Sequence, residues 1–387
     1  MAPNQLGNSL FLSETNSADP VQIISKPGVQ QEVPQIKPYV KSTKPQHRWQ
    51  IVWRNVVIFI YLHVAAIYGL YLLFAVMQLK TFVWGYFFSL FSSLGITAGA
   101  HRLWAHRSYK AKLPLRILLA VFQTITLQND IYEWVRDHRV HHKFTDTDAD
   151  PHNSTRGFFF SHIGWLMIKK HKDVFIKGKT VDMSDVASDP VVRFQRKYYI
   201  ILALLLTFVF PAIVPWYFWN EHLSVCWYTA AIFRYVVILH CTWLVNSVAH
   251  VWGVKPYDKN IRAAENKIVA VAALGEGWHN YHHVFPWDYK TAELGDYKMN
   301  VTTAFLDLMA KIGWAYDLKT VSAELINKRV KRTGDGSRVV DAPAEGDDNG
   351  HHHHHDDNIW GWGDKDMKTD DMELVEIHHQ KLPKFVQ

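Results

Sequence analysis

Four long stretches with no charged side chain, or only one, decide what this chain can fold into. Residues 56–77 (VVIFIYLHVAAIYGLYLLFAVM) carry none, and as a helix would run about 33 Å, enough for a bilayer core of roughly 30 Å. Residues 82–100 form a second such block. Residues 200–219 form a third, expected to kink or end at Pro211 and Pro215, because proline removes a helical hydrogen bond. Residues 224–249 are the fourth, interrupted only by Arg234, which must snorkel or face a polar interior. A soluble core can bury one helix that is apolar all round, but four in one chain point to hydrocarbon as the solvent. The expected fold is therefore an all-α membrane protein with four transmembrane helices.

The polar opening MAPNQLGNSLFLSETNSADP has neither the basic start nor the apolar run of a cleavable signal. Residues 1–48 are expected to be a disordered arm, so insertion falls to the first span. Cys226 and Cys241 lie fifteen residues apart in the fourth block; about 22 Å along a helix is too far for a disulfide. Nothing in the distribution of basic residues calls for nucleic acid.

Sidedness follows from the connections. Those between spans 1 and 2 and between spans 3 and 4 are short and hold only Lys80 and Glu221 as full charges. The opposite face carries Lys37, Lys41, Lys44, Arg48 and Arg54, then Arg102, Arg107, Lys110, Lys112 and Arg116. An excess of Lys and Arg marks the cytosolic side. Both termini, the segment 101–199 and everything after 250 are thus expected to be cytosolic, with residues 113–127 lying in the interface.

Histidines collect on that side. RDHRVHHKF (136–144) holds His138, His141 and His142, and EGWHNYHHVF holds His279, His282 and His283 in the same 0, 3, 4 spacing, which shares one helical face. GAHRLWAHRSY places His101 and His106 at the end of span 2. Their five-residue spacing is about 140° around an ideal helix, so they converge only if the helix ends or bends. LVNSVAH puts Asn246 and His250 four apart. Nine imidazoles exceed the four to six ligands of one ion, so two metals are expected. A closed zinc site would use four ligands, and soluble di-iron bundles use Glu-x-x-His pairs. A nitrogen-rich dinuclear iron centre suits this set better.

At this point HRLWAH, RDHRVHHKF and GEGWHNYHHVFP resemble the three histidine boxes of membrane acyl-CoA desaturases, most of all the insect branch of the stearoyl-CoA desaturase group. DADPHN, RGFFFSHIGW, KPYDKNI and KRTGDGS extend the resemblance over residues 49–337. It implies four spans and a cytosolic helical cap holding a di-iron centre, in the endoplasmic reticulum membrane. It implies one iron on His101, His106, His138, His142 and His282. The other would sit on His141, His250, His279 and His283, with Asn246 acting through water. Zinc could fill the site only as an inactive substitute. The activity implied is insertion of a cis double bond into a saturated long-chain fatty acyl-CoA, Δ9 by preference and Δ11 as the alternative. O2 is the co-substrate and cytochrome b5 with its NADH-dependent reductase the electron source. By the same resemblance the acyl-CoA head meets Asn55, Asn129, Arg136, Asp137, Lys169, Lys170 and Trp243, while Gln128, Trp134 and Thr242 line the bend of an acyl tunnel between the spans. Ser89 and Ser93, two to three turns below His101 in span 2, are expected at the tunnel's closed end.

Other residues read as structural. His63, His152, His162, His171, His222 and His240 are isolated and expected to be packing histidines. The tract His351–His355 sits in a polar, acidic, low-complexity tail (338–387) and is left out of the site. Two other functions share parts of the pattern. A di-iron fatty-acid hydroxylase would use the same boxes; a histidine-rich metal transporter would place its ligands at the membrane midplane, whereas these gather at one mouth.

Overall fold

The four apolar blocks are four long helices in the computed structural model, which describes residues 49–293, 297–339 and 358–379. The arm 1–48 and the tract 351–355 lie outside the described residues. Span 1 is Trp53–Ala75, span 2 Leu79–Ala105, span 3 Pro190–Trp219 and span 4 Leu223–Val251, each long and apolar enough to cross a membrane. Their outward faces are apolar, as hydrocarbon requires: in span 1, Val57, Ile60, Val64, Ile67, Tyr71 and Phe74 are all exposed. Span 3 starts ten residues before the apolar block because Asp189 accepts from the N–H of Val191 (2.9 Å) and Pro190 occupies the first turn, where its missing N–H costs nothing.

Neither Pro211 nor Pro215 ends span 3, which continues as helix to Trp219. A π-helical turn, Leu205–Val209, directly precedes the stretch Phe210–Trp219 that holds both prolines, and the helix stops only where Asn220 turns left-handed (φ 53°). A second π stretch, Trp227–Phe233, lies in span 4. Between them sits Arg234, fully enclosed rather than snorkelling. Its Nε donates to the Ala230 carbonyl (2.9 Å), Nη2 donates to the Thr207 carbonyl (2.8 Å), and the guanidinium lies 5.0 Å from the Phe88 ring centre. Carbonyls in both π stretches thus receive the donors of a cation that hydrocarbon could not solvate.

The two short turns are tied to each other. Buried Glu221 accepts from the Gln78 N–H (2.9 Å) and the Thr81 hydroxyl (2.6 Å), and the Trp219 indole donates to that hydroxyl oxygen (2.8 Å). Close helix approach is made possible by glycine. A Cβ on Gly69 would fall 2.1 Å from the Tyr228 carbonyl oxygen, and one on Gly95 2.1 Å from the Gln123 nitrogen. The second contact seats span 2 on helix Leu113–Thr124, which buries Leu115, Leu119 and Gln123 and exposes Leu113, Ile117 and Val121. That exposed apolar face is what an interfacial helix needs.

The opposite end of the spans carries a helical cap built from Ile131–Lys143, Phe158–His162, His279–Val284, Val301–Lys311 and Ala323–Thr333. Sheet is minimal: β1 (Lys110–Ala111) pairs antiparallel with β2 (Ala315–Tyr316), and β3 (Leu318–Val321) with β4 (Val375–His378). β4 belongs to the segment expected as a polar tail. Residues 358–379 of it are packed on the cap, with Trp360, Asp364 and Met367 buried.

Three of the histidines read as structural form one chain. His63 Nε2 lies 3.1 Å from His240 Nε2, His240 Nδ1 lies 2.9 Å from His162 Nε2, and His162 Nδ1 lies 2.9 Å from Ser247 Oγ. It stitches spans 1 and 4 to the cap.

Candidate metal centre

His101 and His106 converge at the end of span 2, where His106 caps the helix. Span 2 passes into an eleven-residue π-helix, Gly95–Ala105, and the N–H of His106 donates to the carbonyl of His101 (3.1 Å). Bonding from i to i+5 stacks residue i+5 over residue i, so the two rings lie 4.7 Å apart. Helix Ile131–Lys143, capped by Asp130 accepting from the N–H of Glu133 (3.1 Å), brings in His138, His141 and His142. Helix His279–Val284 supplies His279, His282 and His283, and the end of span 4 supplies His250.

The nine imidazoles sort into two groups. His101, His106, His138, His142 and His282 bring one nitrogen each within 4.8 Å of the others, and so do His141, His250, His279 and His283. In the first group the Nε2 separations are 3.0 Å for His101 and His282, 2.9 Å for His106 and His138, and 3.0 Å for His142 and His282. In the second they are 2.9 Å for His250 and His279, 3.0 Å for His279 and His283, and 3.3 Å for His141 and His283. An imidazole–metal bond of about 2.1 Å puts adjacent ligand nitrogens about 3.0 Å apart at a right angle and about 3.4 Å apart at the tetrahedral angle. The spacing therefore fits nitrogen ligands arranged around a metal ion.

Electrostatics agree. Burial, and then the neighbouring imidazoles, hold His106, His138, His142, His279, His282 and His283 well below the ordinary histidine pKa. His141 is pushed down to about 3 by burial and by His101. All seven are neutral at physiological pH, with lone pairs available to a cation.

Three of the outer nitrogens face groups that reading the sequence had not assigned to the site. Glu276 Oε2 is 2.9 Å from His101 Nδ1, and its other oxygen accepts from fully buried Arg102 at 2.9 and 3.1 Å. Asp150 Oδ1 accepts from His141 Nδ1 (3.0 Å). The carbonyl of Trp360 accepts from His106 Nδ1. Such partners fix the tautomer and the ring plane of a metal-binding histidine. Arg102 next to His101, and Glu276 three residues before His279, were the visible signals: opposite charges embedded in two different boxes.

Around this centre the Trp134 ring stacks on His138 (4.9 Å, 23°), and the Gln128 amide donates to the Thr242 hydroxyl (3.1 Å). Asn246 lies one helical turn before His250 and is partly buried. Of the residues expected at the acyl-CoA head, Arg136 pairs with Asp137 at 3.0 Å and Lys170 also bonds Asp137. Asn55 donates to the Leu166 carbonyl (2.8 Å), and the Lys169 N–H donates to the Gln50 carbonyl (2.9 Å). Asn129 is exposed with φ 69°. Trp243 is buried among the rings of Phe59, His162 and His240. In span 2, Ser89 donates to the Gly85 carbonyl (2.8 Å), and Ser93 is partly buried.

Comparison with known proteins points the same way. The family model described as fatty acid desaturase matches residues 80–298. The chain is 56% identical over 344 residues to an acyl-CoA Delta-9 desaturase of Acheta domesticus (89% of this chain, 90% of that one). It is 54% identical over 345 residues to an acyl-CoA Delta-12 desaturase of Tribolium castaneum (88% and 96%). It is also 49% identical over 340 residues to an acyl-CoA Delta(11) desaturase of Trichoplusia ni (88% and 92%). With its four apolar spans and its histidine groups able to hold metal, the chain belongs to the fatty acid desaturase family, as an oxidoreductase of the acyl-CoA desaturase type.

Proposed function

We propose that this enzyme introduces a cis double bond at Δ9 into saturated long-chain acyl-CoA. It consumes one O2, two electrons and two protons for each pair of hydrogens removed, and releases two waters. The electrons come from cytochrome b5 and its NADH-dependent reductase, at the cytosolic face of the endoplasmic reticulum. The observation that carries this reading is the five-plus-four division of imidazoles at one mouth of the four spans. Two irons held there would supply the oxidising power that an unactivated C–H bond demands and that no side-chain acid or base has.

In this reading His101, His106, His138, His142 and His282 hold one ion, and His141, His250, His279 and His283 hold the other, with Asn246 reaching the second through water. Zinc on the same nitrogens would be inert. Lys169, Lys170 and Arg136 offer cationic donors to the phosphates of the head, beside Asn55, Asn129, Asp137 and Trp243. The Gln128–Thr242 bond and the Trp134 ring form the bend, which admits one pair of methylenes and excludes water. Ser89 and Ser93 lie further down the same path.

The Delta-12 and Delta(11) names of two relatives favour a second reading, in which the same centre meets a different carbon pair. Expression in a yeast lacking its own desaturase separates the two. Gas chromatography–mass spectrometry of derivatised lipids should locate the new double bond at C9, with none in His142→Ala or His283→Ala. A hydroxylated product, or activity in either variant, would overturn the proposal.

A further inference from the structure

Beyond the matched family region lies the segment 358–379, and it runs back to the five-histidine group. Trp360 is 2% exposed. Its ring lies 4.0 Å from the Arg139 guanidinium and 4.8 Å from that of Arg107. Asp364, equally buried, accepts from Lys143 at 3.0 and 2.8 Å and from the N–H of Trp360 (3.0 Å). Lys143 ends the helix that carries His138, His141 and His142, so the segment grips that helix and the end of span 2 together. Further along, β4 pairs with β3 through Val375–His378.

Between these anchors the backbone reaches His106 from two directions. The carbonyl of Trp360 meets His106 Nδ1, and the N–H of Trp362 donates to the His106 carbonyl (2.9 Å). Gly361 stands between them with φ 155°, and a Cβ there would fall 2.5 Å from the His106 carbonyl oxygen and 2.7 Å from its Cα. Only glycine fits this approach. A carbonyl can accept but not donate. The Nδ1 of His106 must therefore carry the proton, which leaves the lone pair on Nε2, the atom 2.9 Å from His138 Nε2.

We infer that residues 358–379 are a strap that completes the five-histidine site, with the Trp360 carbonyl as a positioning group that keeps His106 in its metal-binding tautomer. The inference rests on the reading that these five histidines hold a metal. The test uses the full chain purified in detergent after expression with added iron. Metal per chain is measured by mass spectrometry before and after challenge with a graded chelator.

Gly361→Val, which cannot make the approach, should lower the affinity of one of the two bound metals about 10- to 100-fold and leave the other in place. Trp360→Ala, which removes the anchoring ring but no backbone group, should do the same to a smaller extent, and Trp360→Phe should restore retention. A role confined to general stability would release both metals together or neither. If His142→Ala loses a metal while Gly361→Val and Trp360→Ala both resist chelator like the unmodified chain, the strap is refuted and the metal reading stands. If His142→Ala keeps the full metal content, both are refuted.

Discussion

Removing the charge of Glu276 should separate two jobs that one side chain performs. Its Oε1 accepts from Nε and Nη2 of Arg102 (3.1 and 2.9 Å), and its Oε2 faces His101 Nδ1 (2.9 Å). Burial works against the carboxylate, but Arg102 and then His101 outweigh it and hold its pKa below the usual glutamate value. Glu276→Ala would leave Arg102, which is 0% exposed, without its anion; stripping one partner from a buried pair costs about 3–5 kcal/mol. Arg102 keeps Tyr289 O (2.8 Å), Thr303 Oγ1 (3.0 Å) and Asn300 Oδ1 (3.2 Å), so the lower figure applies. At about 2 °C per kcal/mol for a large chain, melting should fall by about 6 °C. Glu276→Gln isolates the second job. If its amide oxygen stays with Arg102, its NH2 faces His101 Nδ1 and drives the ring proton to Nε2, the nitrogen aimed at the other imidazoles. Metal affinity should drop about 10- to 100-fold with a smaller change in melting. Differential scanning fluorimetry in detergent and metal analysis read the two effects. A Glu276→Ala protein melting with the unmodified one, or a Glu276→Gln protein with full metal content and turnover, would refute the reasoning.

Three further outcomes are expected. His250→Ala should eliminate desaturation and one bound metal while membrane insertion, followed by fractionation, is unaffected; Asn246→Ala should lower turnover less, as a water-mediated contact would. Ser89→Tyr should shift products towards shorter acyl chains without moving the double bond, and an unchanged chain-length profile in an active variant would leave Ser89 with only its bond to the Gly85 carbonyl. Gly69→Ala places a methyl 2.1 Å from the Tyr228 carbonyl oxygen, and spans 1 and 4 must part; overpacking of this kind costs about 1–3 kcal/mol, read as a lower melting temperature.

What could be read in advance divides along physical lines. Hydrocarbon demands uninterrupted apolar helix, so all four spans were visible by composition, with ends displaced by a few residues and most at span 3, where the Asp189 cap starts the helix in polar sequence. The 0, 3, 4 trios were visible because α-helical periodicity alone makes their faces. His101 and His106 were not reducible to that period. A five-residue spacing asked for a helix end or a bend; the helix does end at Ala105, but its last turns are bonded i to i+5, which the spacing did not announce. Nothing local in GITAGAHRLWA requires it; burial of all eleven residues against the cap and the Leu113–Thr124 helix supports a geometry that the backbone alone disfavours.

Arg234 follows the same logic. A cation in an apolar block announced that something polar lay near it, but the acceptors proved to be backbone carbonyls in π stretches of two different spans, which no side-chain pattern encodes. The strap was least legible of all. Its residues are polar, acidic and aromatic in a stretch with no period, and its order comes from distant contacts, with β3 some sixty positions away and with Lys143, Arg139 and His106 more than two hundred away. A segment held by tertiary contacts rather than by its own propensity reads as a tail until its partners are known. Local periodicity thus shows where ligands can gather, while the hydrogen bonds that orient them come from positions scattered along the chain.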